Sequence, residues 1–228
     1  MPVSPSGAQT FERGLRGLRL LAESTDGLTP TELAALLGIH RSMASRLLMA
    51  MHSQGFAARD PDGRYRIAAT LLSLLALIRP RLREVAEPIL RDLADRVGAT
   101  TVLLVREGEY AVGVSVTEPS AEVPWLSYGL GHRDPITRGA GGLAVRAASP
   151  ARPDEPARVT QAREAGYAIS FSEVVEGAYA VAAPIMASGS DQPACVLVVS
   201  HRQELVEKAI PHVTGAARQI GRFLRGER

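Results

Sequence analysis

Several residue types and patterns that define common protein classes are scarce in this 228-residue sequence. Cys195 is the one cysteine, so an intrachain disulfide is excluded, and its place in the apolar run ACVLVVS predicts a buried strand residue rather than a nucleophile. No apolar run reaches the roughly 18–20 residues that span a membrane. The first ten residues also lack the basic-then-apolar pattern of a signal peptide. We therefore expect a cytoplasmic protein without a membrane segment.

Motifs for catalysis and cofactor binding are missing as well. The histidines show no metal-ligand spacing with cysteine or aspartate, so no metal site is predicted. The glycines of GLGHRD and RGAGG lack both the Walker lysine and the dinucleotide fingerprint, so no cofactor is predicted and a methyltransferase is disfavoured. His132 could transfer a proton, but we interpret it as part of a polar loop. No catalytic residue is predicted, and the sequence does not indicate an enzyme.

Basic charge is concentrated in the first third of the chain. Residues 1–83 contain eleven arginines and six acidic residues, whereas residues 84–228 contain fifteen basic and eighteen acidic residues. A polyanionic partner is therefore expected to bind the N-terminal part.

The N-terminal third has the spacing of a helix-turn-helix. The segment TPTELAALLG supplies a capping threonine, a proline at the first helical position, a glutamate three residues after the cap and a terminating glycine. A second helix follows, and its apolar residues Ala44, Leu47 and Leu48 share one side. The opposite side carries the candidate base-reading residues, which are Arg41, Ser42, Ser45 and Arg46, together with Met43, which could touch a thymine methyl group or pack.

The next segment, GFAARDPDGRYRIA, predicts two short strands joined by a turn at residues 60–63. Arg59, Arg64 and Arg66 on such a hairpin suit the phosphates that flank a groove. A winged helix can also serve as a protein-binding module. Arginine and serine on the outer helix face favour double-stranded DNA, because these side chains donate hydrogen bonds to base acceptors and phosphate oxygens.

The second part of the chain predicts an α+β domain. The run TTVLLVREGEYAVGVSV indicates strand, turn and strand, and further strands are expected over residues 123–128, 178–185 and 194–200. Helical spacing continues through ELVEKAIPHVTGAARQIGRFLRG at the end of the sequence. Strand hairpins bracketed by helices are typical of the α+β class.

These residues, in this order, resemble the IclR family of bacterial transcriptional regulators. The likeness runs through LRLLAESTDGLTPTELAALLGIHRSMASRLLMAMHSQGFAARDPDGRYRIA, GHRDPITRGAGGLAV, AREAGYAISFSEVVEGAYAVAAPI and ACVLVVS. The resemblance implies a winged helix-turn-helix domain over residues 10–69, a linker helix at 70–80 and a GAF-like effector-binding domain at 81–228. It also implies a homodimer or a dimer of dimers whose affinity for a DNA operator responds to a small-molecule effector. From the N-terminal sequence itself we expect a short disordered lead-in at residues 1–9.

In this family the glycine turn lines the effector pocket. The matching positions are Ala140, Gly141, Ser170, Ala180, Val198 and Ser200, and we add Trp125, Tyr128 and Tyr179 as candidate aromatic walls. Several polar residues of the family pattern are replaced by apolar ones, which predicts an aromatic or apolar acid as effector. The segment ASPARPDEPARVTQ is shorter than the family's helical insert and is expected to be a loop, so one pocket wall could be missing. A degenerate, ligand-free domain that serves only oligomerisation is the alternative.

Overall fold

The architecture is that of a computed structural model, which describes residues 6–121, 126–186 and 192–227. The chain divides into two compact units, Met1–Ile78 and Arg79–Arg228. The first unit has one hydrophobic core and the second has two, one on each side of its sheet, so each unit is described by itself.

The first unit combines helices with a short hairpin. Its elements are α1 (Ser6–Glu23), α2 (Pro30–Leu37), α3 (Arg41–Ser53), β1 (Ala57–Arg59), β2 (Tyr65–Ile67) and α4 (Leu71–Ala76). The two strands pair antiparallel, and Leu28 bridges to Tyr65 on the other side of β2. The loop before α2 is therefore tied to the hairpin, which forms the wing of a winged helix-turn-helix.

Local chemistry sets both ends of α2. The Thr29 hydroxyl accepts a hydrogen bond from Glu32 N at 3.2 Å, and the Glu32 carboxylate accepts one from Thr29 N at 2.7 Å, which completes a capping box. Gly38 ends the helix with φ 63°, a left-handed conformation that glycine adopts without steric cost. The turn that follows places α3 across α2, as the sequence predicts.

The core of the first unit holds the three helices together. Leu21 of α1, Leu33 of α2 and Leu48 of α3 are fully buried against one another, and Tyr65 of the wing packs with them. Burial of each leucine side chain contributes about 1.5–3 kcal/mol. This packing fixes which side of α3 remains outside.

The second unit is a six-stranded antiparallel sheet between two layers of helices. Its elements are α5 (Pro80–Val97), β3 (Thr100–Glu107), β4 (Tyr110–Thr117), β5 (Arg133–Pro135), α6 (Gly139–Ala147), α7 (Ala157–Ala165), β6 (Ala168–Phe171), β7 (Tyr179–Ile185), β8 (Ala194–Ser200) and α8 (Gln203–Leu224). The strand order is β5-β4-β3-β8-β7-β6. The predicted α+β class is confirmed.

Side chains that alternate along the strands pack into two separate cores, one on each face of the sheet. Leu103, Val181 and Val196 lie in the core under α5 and α8. Their neighbours in sequence, such as Leu104 and Leu197, lie in the core under α6 and α7. Because successive side chains of a strand point to opposite faces, this parity decides which residues can reach a site beside α6.

Two expectations near the N-terminus and in the middle of the chain need correction. Residues 6–9 are helical rather than disordered, because Ala8 and Gln9 are good helix formers and extend α1 by one turn. Residues 1–5 lie outside the described residues.

The predicted strand at 123–128 is the second expectation, and its residues 123–125 lie outside the described residues. Residues 126–128 form no strand, because β5 takes the place beside β4; Leu126 and Tyr128 nevertheless bury their side chains in the core.

The segment expected to be a loop, residues 148–161, is partly helical. α7 begins at Ala157 directly after Pro156. The Arg163 guanidinium of α7 donates to the carbonyls of Ala147 and Ser149 at the end of α6. These bonds stabilise a helix in a segment whose composition predicted a loop.

Within the described residues, no helix combines the length and the apolar character needed to cross a bilayer.

The linker helix is shorter than the predicted range of residues 70–80, since α4 covers residues 71–76. Arg79 has φ 49°, and Pro80 then begins α5.

Candidate functional site

Packing leaves one side of α3 facing outward. Ala44, Leu47 and Leu48 are buried in the core of the first unit. The predicted base-reading residues lie on the other side: Arg41, Ser42 and Arg46 are exposed, and Met43 and Ser45 are half-buried. The structure therefore brings all five onto a single helical surface.

The two arginines of this surface differ in their local contacts. Arg41 Nε donates to the Thr31 hydroxyl at 3.2 Å, which links the start of α3 to α2. Arg46 lies one turn further along and makes no hydrogen bond or ion pair with any residue that the structure describes. Its guanidinium is thus available to a partner without loss of an internal contact.

Arg64 ties the wing to the helix-turn-helix. Its Nη2 donates to both Glu32 carboxylate oxygens at 2.9 Å and to the Gly27 carbonyl, and its Nε donates to the Asp26 carbonyl at 3.1 Å. The guanidinium thereby joins the hairpin to the loop before α2. Arg64 was predicted as a phosphate contact, and the structure gives its side chain a positioning role as well.

The other two wing arginines are more exposed. Arg66 donates to the Thr25 carbonyl at 2.6 Å and lies 3.6 Å from the Asp60 carboxylate. The Arg59 guanidinium stacks 5.6 Å from the centre of the Tyr65 ring. Both charges remain at the surface of the hairpin, beside α3 in sequence and within the same unit.

A small cavity lies between α6 and the sheet of the second unit. Its volume is about 40 Å³. It is lined by Leu104, Tyr128, Asp134, Arg138, Gly139, Ala140, Gly141, Gly142, Ser170, Glu173, Val174, Val175, Ala178, Ala180, Leu197 and Val199. Ligand pockets for drug-sized molecules typically measure about 300–1,000 Å³, so this cavity is closed in the described conformation.

The first turn of α6 forms one wall of the cavity. Gly139 opens the helix with φ 74°, a value that disfavours any other residue. A Cβ atom at Gly142 would lie 2.9 Å from the Ile136 backbone, so the glycine permits close packing there. Two backbone amides of this turn are already bonded, since Gly139 N donates to Glu173 Oε2 at 2.8 Å and Ala140 N donates to the Ser170 hydroxyl at 2.9 Å.

The Glu173 carboxylate is held from two sides. Arg158 of α7 donates to it through both guanidinium Nη atoms, at 2.7 and 3.2 Å. These bonds, together with the Gly139 amide, lower the pKa of Glu173 below its ordinary value although partial burial acts in the opposite direction. Glu173 is therefore ionised near neutral pH. Sequence reasoning missed both residues, because their pairing depends on how α7 and the loop after β6 meet.

Polar groups also mark another part of the cavity. The Tyr128 hydroxyl donates to Asp134 Oδ2 at 2.5 Å, and His132 Nε2 lies 2.9 Å from Asp134 Oδ1. Burial, followed by the hydrogen bond to Asp134, raises the pKa of Tyr128, so its hydroxyl remains protonated at neutral pH. The cavity thus presents a buried carboxylate and a phenol besides the amides of α6.

Some predicted effector residues line the cavity and others do not. Tyr128, Ala140, Gly141, Ser170 and Ala180 belong to its lining, whereas Trp125 lies outside the described residues. Tyr179 is not among the lining residues, and its ring stacks on the Phe171 ring with 4.2 Å between the ring centres.

Strand parity corrects the prediction for Val198 and Ser200. Val198 lies in the core under α5 and α8, and Ser200 has the same parity along β8. Leu197 and Val199 line the cavity in their place.

The part of the chain that the structure describes holds no candidate metal centre, and its cysteine is buried. Within residues 6–121, 126–186 and 192–227 no cluster of three His, Cys, Asp or Glu side chains could hold a metal ion. Cys195 is fully buried, and burial raises the pKa of its thiol, which donates a weak hydrogen bond to the Gly141 carbonyl at 3.6 Å. A thiol in this environment is a packing residue rather than a nucleophile.

Comparison with known proteins agrees with this arrangement. Residues 10–61 match the family model of the IclR helix-turn-helix domain. The chain is 26% identical over 223 residues to the HTH-type transcriptional regulator KipR of Bacillus subtilis, a match that covers 86% of this chain and 89% of KipR.

Solved structures share the fold of both units. The IclR protein of Thermotoga maritima matches with a TM-score of 0.74 at 21% identity over 95% of this chain and 99% of that chain. An IclR homologue from Microbacterium hydrocarbonoxydans, solved with 4-hydroxybenzoate, matches with a TM-score of 0.76 at 23% identity over 96% of this chain and all of that chain. Residues 10–61 therefore match an IclR helix-turn-helix domain, and the chain as a whole is similar in sequence and in fold to IclR-family transcriptional regulators.

Proposed function

We propose that the protein regulates transcription in the cytoplasm by binding a double-stranded DNA operator through α3 and the wing. The observation that carries this proposal is the outer face of α3, where Arg41, Ser42 and Arg46 are exposed on a helix whose other side is fixed in the core. In a helix-turn-helix the second helix enters the major groove. In our assignment residues 10–69 bind DNA, residues 70–80 link the domains and residues 81–228 form the effector-binding domain.

The residues of α3 suit base recognition. Arginine can donate two hydrogen bonds to the O6 and N7 atoms of guanine, and serine can donate to several base acceptors. Arg46 is the strongest candidate, because its side chain has no internal partner among the described residues. Met43 and Ser45 lie beside it and would contact the groove at lower exposure.

The wing supplies contacts to the DNA backbone in this proposal. Arg59 and Arg66 keep their charges at the surface, where they would pair with phosphates without reading sequence. Arg64 is assigned to the same set, although its bonds to Glu32 and to the loop carbonyls limit how far it can reach.

Self-association is part of the proposed function. An apolar groove of about 470 Å³ lies between α1 and α3 and is lined by residues that include Phe11, Leu15 and Phe56. Phe11 is 68% exposed and Leu15 is 49% exposed. Apolar patches of this kind mark interaction sites, and a homodimer, or a dimer of dimers, would cover the groove and present two α3 helices to one operator.

Selection of operator sequences tests the DNA-binding proposal. The full-length protein would be mixed with a random double-stranded library at physiological salt, and bound DNA would be sequenced. A homodimer predicts enrichment of inverted half-sites whose centres are about 10–10.5 base pairs apart, or a multiple of that distance. Failure to enrich any sequence over the starting library would contradict the proposal.

For the second unit we propose that the cavity beside α6 binds a small aromatic or apolar acid that changes operator binding. Amides at a helix N-terminus favour an anionic group, and Asp134 with Tyr128 offers partners for a hydroxyl group. The homologue from Microbacterium hydrocarbonoxydans was solved with 4-hydroxybenzoate, a ligand with both kinds of group. In the described conformation the cavity must widen to admit such a molecule.

The closed cavity also favours a second candidate function, in which the C-terminal domain binds no ligand and serves oligomerisation only. A volume of about 40 Å³ leaves room for a few water molecules at most. A thermal-shift screen of aromatic and aliphatic acids with the full-length protein separates the two candidates. A concentration-dependent rise in Tm supports effector binding, and a flat response across the screen supports the ligand-free domain.

A further inference from the structure

The loop between β6 and β7 carries a carboxylate into the first turn of α6. Ser172 has φ 55°, an uncommon left-handed value for a residue other than glycine. The loop is closed at its base, because Ser172 N donates to the Ala178 carbonyl at 2.8 Å and Gly177 N donates to the Ser172 hydroxyl at 3.0 Å. This compact turn places Glu173 beside Gly139.

Glu173 makes the contacts that a carboxylate ligand would make. One of its oxygens accepts from the Gly139 amide, where the helix dipole favours negative charge, and the Arg158 guanidinium binds both oxygens. Three groups that could recognise an anionic molecule are therefore satisfied by the protein itself, since the Ala140 amide donates to Ser170.

The same loop also fills the space beside those groups. The Val174 side chain covers Gly139, and a Cβ atom added at Gly139 would lie 2.7 Å from Val174 Cγ2. Val174 and Val175 belong to the lining of the 40 Å³ cavity. Closure of the cavity and occupation of the Gly139 amide therefore have a common cause, which is the position of loop 172–178.

We propose that Glu173 is an internal competitor of the effector. The inference rests on the proposed binding of an organic acid at this cavity and names how that binding is controlled. The effector carboxylate replaces Glu173 at Gly139 N and Arg158, loop 172–178 moves outward, and the cavity widens. Because the free domain spends most of its time in the self-bound state, the apparent affinity for the effector is reduced by the fraction of molecules that are open.

Two substitutions at the site and one beside it test the exchange. Glu173→Gln removes the charge and keeps the shape, whereas Glu173→Ala removes the side chain. The control is Glu176→Gln, which removes the same charge from an exposed residue of the same loop. Binding of 4-hydroxybenzoate and of its neutral analogue 4-hydroxybenzamide to each full-length variant would be measured by isothermal titration calorimetry.

Competition predicts that both Glu173 variants bind 4-hydroxybenzoate at least about tenfold more tightly than the unsubstituted protein, since removal of a competitor raises the open fraction. Loss of the carboxylate exposes Arg158 to the ligand's own carboxylate, so the gain is expected to be smaller for 4-hydroxybenzamide. Glu176→Gln should bind both compounds as the unsubstituted protein does.

Three outcomes overturn the proposal in distinguishable ways. If the unsubstituted protein binds 4-hydroxybenzoate and the Glu173 variants bind it no more tightly, Glu173 is not a competitor of the effector, and the proposed effector binding stands. If no variant binds either compound, effector binding of this class fails together with the competitor. If every Glu173 variant gains equally for the acid and the amide, the carboxylate exchange is wrong.

Hydrogen exchange in a conservative variant and in the unsubstituted protein keeps the test valid if Glu173→Gln or Glu173→Ala fails to fold. Hydrogen exchange at the Gly139 amide should become faster in Glu173→Asp, whose shorter side chain loosens the bond, while exchange within β8 stays the same. Unchanged exchange at Gly139 in that folded variant would contradict the proposal. In the unsubstituted protein, addition of 4-hydroxybenzoate should slow exchange at Gly139 and speed it in loop 172–178.

Discussion

At the scale of single residues, arginines that look equivalent in the sequence differ in what they hold. Arg46 has no partner among the described residues, whereas Arg64 joins Glu32 and two loop carbonyls. An arginine that stabilises the fold and one that is free for DNA should respond differently to the same substitution.

We expect Arg46→Ala to weaken binding to the selected operator by about 1–3 kcal/mol, because a bidentate base contact is worth that much, while the melting temperature stays unchanged. Fluorescence anisotropy with labelled operator measures the first and calorimetry the second. Arg222→Ala, which removes an exposed arginine of α8, is the charge-matched control. Equal affinity of the Arg46 variant and the control would remove Arg46 from the proposed site.

Substitution of Arg64 should instead loosen the wing. Arg64→Ala leaves the Gly27 and Asp26 carbonyls without their donor, at a cost of about 1–2 kcal/mol for partly exposed groups. We expect faster hydrogen exchange at Leu28 and Tyr65, whose backbones pair between loop and wing. Arg46→Ala should leave those amides protected, and equal protection in both variants would contradict the positioning role.

The ion pair of Glu173 gives a prediction for the dependence of stability on pH. Its pKa is lowered in the folded protein, so its contribution is present above the unfolded value near 4.5 and is lost as the pH falls through the folded value. We therefore expect the Tm difference between the unsubstituted protein and Glu173→Gln to be constant from pH 7 down to about pH 5 and to shrink in more acidic buffer. A difference that grows on acidification would show the opposite shift.

At the scale of elements, glycines in helices serve different purposes. In α6 a Cβ atom at Gly142 would meet the backbone of Ile136, whereas in α8 a Cβ atom at Gly215 would meet nothing within 4 Å. Close approach of α6 to the preceding segment needs the first glycine, and no contact needs the second.

Alanine at these two positions should therefore change stability in opposite directions. Gly142→Ala forces the backbone apart, with an expected loss of about 1–3 kcal/mol from overpacking. Gly215→Ala should gain up to about 1 kcal/mol, since alanine is the better helix former. Thermal melting of both variants beside the unsubstituted protein measures the pair, and a stabilised Gly142→Ala variant would disprove the close packing.

At the scale of the whole molecule, our proposal assigns the exposed apolar surface of the first unit to a homodimer interface. Phe11 and Leu15 leave a large part of their side chains exposed beside the groove between α1 and α3. Covering this surface in a homodimer would also set the distance between two reading helices, which links assembly to operator spacing.

Phe11→Glu should shift the protein towards smaller assemblies, because a charge in an apolar interface is not compensated. Light scattering coupled to size-exclusion chromatography measures the mass across a dilution series. Leu130→Glu, at an exposed apolar residue of the second unit, is the control. If Phe11→Glu keeps the mass of the unsubstituted protein at every concentration, the groove is not the interface.

Features that depend on neighbours in the chain could be predicted from the sequence alone. The capping box of α2, the left-handed Gly38 and the turn between β3 and β4 each involve residues within a few positions of one another. Local hydrogen bonds and backbone preferences dominate there, so the helix-turn-helix and the fold class could be predicted.

Only the tertiary structure decided which side chains meet at the cavity. All seven residues of β8 are buried, so ACVLVVS has no polar alternation from which the facing of Leu197 and Val198 could be deduced. The pairs Glu173–Arg158 and Arg64–Glu32 join segments whose approach is fixed by packing and not by spacing. The sequence determined most of the elements because their energetics are local, whereas α7 and the closed, self-bound cavity depend on contacts between distant segments.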